Sequence, residues 1–275
     1  MIRRIVQALL AVVIFLLLMI NIRLHRTSPN TGDIKRDIKK QLSFVGNELH
    51  NNELGPKMQS IYPEGEVFVY SLYGLAWCEL ALSSANNEKL KSEALEEALF
   101  ALDHLMSNTV KSTFHKNTLL PYGAYYRGWT NYLLAKVLQL DKTFPEYEYY
   151  KSLYDQECTE IAQAMVASQT PYLESYRNLA WPADMSVLVA SLAQGEHPAN
   201  PLVKYQVEHW TGKVEKLIDT PTGVIGHQVN SVSGKSEENA RGSSSALTLR
   251  LLAEIDREFA SRQYELWNKH FVTTQ

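Results

Sequence analysis

Residues 122–140, YGAYYRGWTNYLLAKVLQL, place aromatic and apolar side chains around the whole circumference of a helix. A helix of that kind is buried on all sides. The next helical stretch, residues 146–168, carries charge on one face and predicts burial along a single stripe. The same alternation extends in both directions. Residues 64–83 are rich in Val67, Phe68, Tyr70, Leu72, Tyr73, Leu75 and Trp77, and residues 87–107 are amphipathic. Residues 183–193 form a short apolar helix after Trp181-Pro182, residues 201–218 are amphipathic, residues 242–253 are apolar and small, and residues 256–271 are amphipathic again.

The broadly apolar helices begin near Gly65, Gly123, Ala183 and Gly242, which lie 58, 60 and 59 residues apart. An inner helix alternating with an outer one describes stacked αα-hairpins, which build either a solenoid or a closed ring. Tetratricopeptide and armadillo-type units run at roughly 34–47 residues, too short for this period. The fold class expected is therefore all-α: an N-terminal transmembrane helix followed by αα-hairpin repeats forming an incomplete (α/α) toroid. The loops leading into the inner helices, IYPEGE, LLPYGAYYRGW and YLESYRNLAWPAD, are long, aromatic and charged, whereas the inner-to-outer connections SSANN and QLDKTFP are plain. In a toroid the rich loops converge on one rim.

The anchor is read from residues 5–22, whose polar residues are Gln7 and Asn21 alone. As a helix, 18 residues at about 1.5 Å each span roughly 27 Å, enough for a hydrocarbon core. No small-residue cleavage site follows; Arg23-Leu24-His25-Arg26 reads as a membrane boundary, so an uncleaved single-pass anchor over residues 1–26 is expected rather than a signal peptide. Arg3 and Arg4 favour a cytoplasmic N-terminus, while Arg23, Arg26, Lys35, Arg36, Lys39 and Lys40 favour the reverse. Long C-terminal domains translocate despite flanking charge, and the domain is assigned outside the cytoplasm. Residues 27–54 are read as a linker with a hinge at TSPNTG and an amphipathic helix over residues 34–50, capped by Asp33. Residues 55–275 are the helical domain.

Composition limits the function. The chain has 275 residues, 45% hydrophobic, with 15 Tyr, 5 Trp and 8 Phe, too aromatic for a disordered polymer. Four of its 27 basic residues lie in the acid-free first 26 positions; the remaining 23 face 30 acids, a net of −7 that phosphate backbones repel. Nucleic acid is not an expected partner. Cys78 and Cys158 form neither a zinc spacing nor a disulfide framework, and are read as buried thiols or, in an oxidising compartment, one disulfide. There is no HExxH, Walker A or strand-linked GxGxxG, and the eight His are scattered singly, so neither metal nor cofactor is assigned.

Three clusters could carry chemistry. Around Tyr122, Tyr126 and Arg127, tyrosines at a helix start suit sugar-ring stacking and the guanidinium suits a carboxylate, although the same spacing also describes a buried helix face. The second comprises Tyr172, Glu174, Tyr176, Arg177, Trp181 and Asp184; an acid in the first turn of an apolar helix serves either the helix dipole or a hydroxylated substrate. The third is the interruption Gly223–Val229 with the Ser/Gly-rich loop to Arg241, where His227 is a candidate acid or base, Arg241 an anion contact, and a small hairpin is expected.

Three segments, YGAYYRGWTNYLLAKV (122–137), YRNLAWPADMSVLVASL (176–192) and ARGSSSALTLRLLAEIDREFASRQY (240–264), resemble parts of bacterial membrane-associated α/α-toroid proteins of the linalool dehydratase/isomerase-like kind. Six-hairpin glycosidases and uronyl epimerases resemble it more distantly. That resemblance implies a central cavity at the inner-helix leading loops, with Tyr126 and Arg127, Tyr176 and Asp184, and His227 with Arg241 around it. Cys78 and Cys158 fall outside all three segments, which argues against cysteine-based dehydration. Six hairpins would need roughly 360 residues; this chain accommodates four, so an open ring with a lateral apolar face is expected to seek a partner or a second copy. Two functions are carried forward. One is an enzyme acting on a glycan or small hydroxylated substrate, with Asp184 and His227 as acid–base groups and Tyr122, Tyr126, Arg127, Glu174, Tyr176, Arg177, Trp181 and Arg241 binding. The other is a non-catalytic helical binding or scaffold module.

Overall fold

A computed structural model describes residues 2–25, 30–84, 86–195, 200–218 and 220–272. The chain forms two compact units, Met1–Phe44 and Val45–Gln275. In the first, α1 (Ile2–His25) contains the stretch Arg3–Arg23, with mean hydropathy 2.8 and none of its residues buried, long and apolar enough to cross a membrane. The expected hinge falls partly outside the described residues. Helix α2 (Thr31–Asn51) starts earlier than the sequence suggests, because the Asn30 side chain accepts from the Asp33 amide at 2.9 Å and takes the capping role. Asp33 then sits in the first turn and pairs with Arg36 at 2.6 Å.

The second unit begins within α2 and continues through α3 (Leu54–Ile61), α4 (Gly65–Leu82), α5 (Glu88–Met106), the single turn α6 (Asn108–Lys111), α7 (Gly123–Leu140) and α8 (Tyr147–Ala167). Strand β1 (Leu179–Ala180) precedes α9 (Pro182–Ala193) and α10 (Pro201–Glu215). A hairpin of β2 (Gln228–Asn230) and β3 (Ser236–Glu238) leads to α11 (Gly242–Ile255), α12 (Arg257–Trp267) and a π-helical turn, Asn268–Val272. Side-chain caps from Asn87, Asn200 and Asp256 open α5, α10 and α12.

Packing follows hydrophobic patterning. All of α7 is buried except Thr130 and Gln139, and α9 is buried from Met185 to Leu192. By contrast α8 buries mainly one stripe, including Tyr150, Tyr154, Cys158, Ile161 and Met165. Helix α4 lies against α5 and α7, α7 against α8 and α9, and α9 against α10 and α11. The approach of α7 to α9 is close because Gly128 meets the Leu188 backbone, where an added Cβ would stand 3.1 Å from the amide nitrogen. Helix α11 departs from the expected all-round burial: only Ser245, Thr248, Leu251 and Leu252 are buried. It packs between α9 and α12, and its residues Leu249, Arg250, Ala253 and Glu254 border an open groove shared with α12. Cys78 and Cys158 are buried free thiols in α4 and α8; burial pushes the Cys158 thiol up to about 12.

The strands form one antiparallel sheet in the order β1-β2-β3, with Leu179 opposite Asn230 and Ala180 opposite Val229. Strand β1 thereby fastens the hairpin to the residues just before α9. The other fastening lies at the start of α7. Tyr122 and Gly123 take left-handed conformations in succession, with φ of 73° and 78°. This turn lets the Ala124 amide donate to the Glu174 carbonyl at 2.8 Å. A Cβ on Gly123 would lie 2.3 Å from the Ser175 carbonyl oxygen. Gly123→Ala therefore combines a left-handed backbone penalty with a clash against main chain, and is expected to cost about 2–3 kcal/mol. Urea denaturation of the variant beside wild type measures this; an unchanged midpoint would show that the loop is not held there.

Candidate functional site

Four segments converge at the N-terminal ends of α4, α7 and α9. Glu64 occupies the N-cap position of α4 without capping it, leaving its carboxylate to accept from the Tyr176 hydroxyl at 2.6 Å. Tyr125, in the first turn of α7, donates to the Glu64 backbone carbonyl at 3.0 Å. Asp184, in the first turn of α9, accepts from the Ser175 hydroxyl at 2.6 Å. Trp181 stands edge-on to Tyr176 at 5.8 Å, and Phe68 packs edge-on against Tyr125 at 5.2 Å. Tyr125 and Ser175 are buried, whereas Glu64, Tyr176, Trp181 and Asp184 are half-buried. One side of the cluster therefore meets solvent.

The electrostatics single out Asp184. Burial of its carboxyl and the negative charge of Glu64 push it up to about 7, against the opposing hydrogen bond from Ser175. A carboxyl in that range exchanges its proton near neutrality, as general acid–base chemistry requires. Burial drives the Tyr125 and Tyr176 hydroxyls upward, and the neighbouring carboxylates add to this. Both phenols therefore stay protonated and serve as hydrogen-bond donors.

The remaining candidates lie elsewhere. Tyr126 is buried, stacks on Phe114 at 5.0 Å and donates to the Leu105 carbonyl at 2.9 Å, so it ties α7 to α5. Arg127 is buried and bound to Glu157 at 2.5 Å and Glu160 at 2.8 Å, which commits its guanidinium to α8. Both line a cavity of about 80 Å³ with Lys111, Asn131 and Glu157. Tyr122 lies under Lys111, 4.7 Å from the ring centre. Glu174 accepts from the Asn178 amide at 3.0 Å and from Ser231, and borders a separate cleft of about 230 Å³ with Tyr172 and Leu173. Arg177 is exposed.

His227 precedes β2. Its ring nitrogen Nδ1 lies 3.0 Å from the Ser244 hydroxyl in the first turn of α11, and its amide donates to the Glu238 carbonyl at 3.0 Å. Burial and then Arg241 depress its basicity. Arg241 is exposed and paired with Glu238. Among the described residues no hydrogen bond or ion pair joins either to Asp184. His227 and Arg241 tie the hairpin to α11, while Asp184, Tyr176 and Trp181 assemble with Glu64, Tyr125 and Ser175.

Sequence reasoning did not select Glu64 or Ser175, and it took in Tyr125 only as one of the tyrosines at the start of the residue 122–129 stretch. One signal was available for Glu64: like Asp184 it is an acid beside the first residue of an apolar helix. Nothing local distinguishes Ser175 from the other serines. Models of known protein families and curated proteins give no match to the chain.

The raised Asp184 carboxyl has a measurable consequence. From its ordinary value of 3.8 up to about 7 the folded state holds a proton that the unfolded state has released. Stability therefore falls as pH rises through that window and levels off above it. At about 1.4 kcal/mol per pKa unit the decline is on the order of 4 kcal/mol. Asp184→Asn is expected to remove it, leaving a variant more stable than wild type at pH 8 and similar at pH 4. Chemical denaturation across pH 4–8 checks this; parallel profiles for the two proteins would show an unperturbed carboxyl.

Proposed function

We propose that this chain is a membrane-anchored enzyme whose αα-hairpins form an arc of an (α/α) toroid. It acts by acid–base chemistry on a glycan or small hydroxylated substrate, at the N-terminal ends of the inner helices. The observation that carries the reading is the half-buried Asp184–Glu64 pair within a tyrosine and tryptophan surround. A carboxyl pushed up to about 7 by burial and by a neighbouring carboxylate is an arrangement such chemistry uses. Asp184 holds a proton near pH 7 and can deliver it to a substrate oxygen; Ser175 orients it. Glu64 is the accepting partner, positioned by Tyr176. Trp181 and Tyr176 offer an aromatic face for a sugar ring or hydrocarbon skeleton, and the Tyr176 hydroxyl oxygen, whose proton is given to Glu64, can accept from a substrate hydroxyl. The serial contacts α4–α7–α9–α11, each helix with an outer partner, support the arc. Helix α1 supplies the single-pass anchor, with the second unit outside the cytoplasm.

A binding module is the second reading. It is favoured by the internal commitment of Tyr126, Arg127, His227 and Arg241, whose side chains are held by partners within the protein. One experiment separates the two. The full-length protein in detergent is incubated with oligosaccharides, uronides and terpenoid alcohols, and products are read by mass spectrometry. Turnover is expected to fall at least about 100-fold in Asp184→Asn and in Glu64→Gln, and to change little in His227→Ala. Its pH profile should bend near 7. Saturable binding without turnover, abolished by Trp181→Ala, would establish the binding module instead.

A further inference from the structure

We propose that the α11–α12 face binds a second copy of this chain through an isologous, antiparallel contact centred on Ser261. Leu249, Ala253, Ala260 and Tyr264 line an open groove of about 820 Å³ between the two helices. Tyr264 is 53% exposed, a large aromatic beside the small side chains of Ala253, Ala260 and Ser261. The polar residues decide which partner fits. Arg250 on this face is already paired with Glu254, and Glu254 also receives Tyr132 and Gln194. Arg257 and Glu265 also line the groove, are exposed, and have no ion pair or side-chain hydrogen bond among the described residues.

These two charges are opposite in sign and lie four residues either side of Ser261 on one face of α12. When two α12 helices cross antiparallel at Ser261, Arg257 of each faces Glu265 of the other. The two ion pairs are then generated by one two-fold axis, as self-association through a single patch requires. Ala260 and Ser261 at the crossing are small enough for close approach, and each Tyr264 ring can enter the groove beside the partner's Leu249. An unrelated acidic or basic partner would satisfy one of the two charges and oppose the other. The patch is thus complementary to itself.

Position 261 gives a direct test, since the axis brings the two copies of that residue together. In membranes containing the full-length chain, Ser261→Cys is expected to form a symmetric disulfide-linked dimer on mild oxidation; Cys78 and Cys158 are buried and remain silent. Arg257→Glu or Glu265→Arg, added singly, places like charges opposite each other and is expected to cut cross-linking about tenfold. The two reversals together restore the pairing and the cross-link. All these positions are exposed, and unchanged circular dichroism and melting will confirm folding. Absence of a cross-linked dimer in the Ser261→Cys protein would overturn the proposal. So would cross-linking indifferent to both single reversals, which would point to association through α1, or a mixed adduct with another protein in place of the dimer.

Discussion

The contact on which the candidate site depends is a main-chain one, between the start of α7 and the loop before β1. Gly123 lies so close to the Ser175 carbonyl that no side chain can stand between them, and the Ala124 amide bonds to Glu174 one residue earlier. Ser175 is thereby fixed from behind by one helix while its hydroxyl reaches forward to Asp184 on another. The same loop carries Tyr176, whose hydroxyl meets Glu64. Without the left-handed turn at residues 122 and 123, the loop would have no reason to lie where Asp184, Glu64 and the two tyrosines meet.

Burying a helix on every side raises the question of what its polar residues do, and for Arg127, Asn131, Tyr132 and Lys136 of α7 the answer is a specific partner. Arg127 is neutralised by two glutamates of α8, Lys136 reaches Glu79 at 3.1 Å, and Asn131 donates to Ser191 at 2.9 Å. Tyr132 reaches Glu254 at 2.7 Å. Removing one partner of such a pair leaves a charge or dipole stranded in apolar surroundings, which is more costly than never having had the pair. The polar residues of α7 therefore select its neighbours as firmly as its apolar ones, each naming a different helix: α4, α8, α9 and α11.

Much of the helical architecture was legible because it rests on periodicity. Stretches such as residues 122–140 and 146–168 differ in how many faces are apolar, and burial follows that difference directly. The apolar run at the N-terminus was equally plain. Two things were hidden. Helix α11 has an apolar, small-residue composition, but the open groove it shares with α12 leaves Arg250 and Ala253 exposed; composition records what a helix can bury, whereas burial depends on what lies opposite. In the candidate cluster, Asp184 and Tyr176 could be singled out because they border a rich loop and an apolar helix. Their partners could not: Glu64 is more than a hundred positions from Tyr176, and Ser175 owes its role to a turn fifty residues earlier.

The fastening of residues 179–180 to 229–230, together with the bonds from Glu64 to Tyr176 and from Tyr132 to Glu254, bears on how the molecule comes apart. In a linear stack each hairpin touches only its neighbours, so units fray from the ends one at a time. Here the start of α4 is bonded to the segment before α9, and the middle of α7 to the end of α11, so neither α4 nor α7 can detach without breaking bonds to a sequence-distant part of the chain. Amide hydrogens across α4, α7 and α9 should consequently exchange with solvent as one cooperative block rather than in a gradient along the chain.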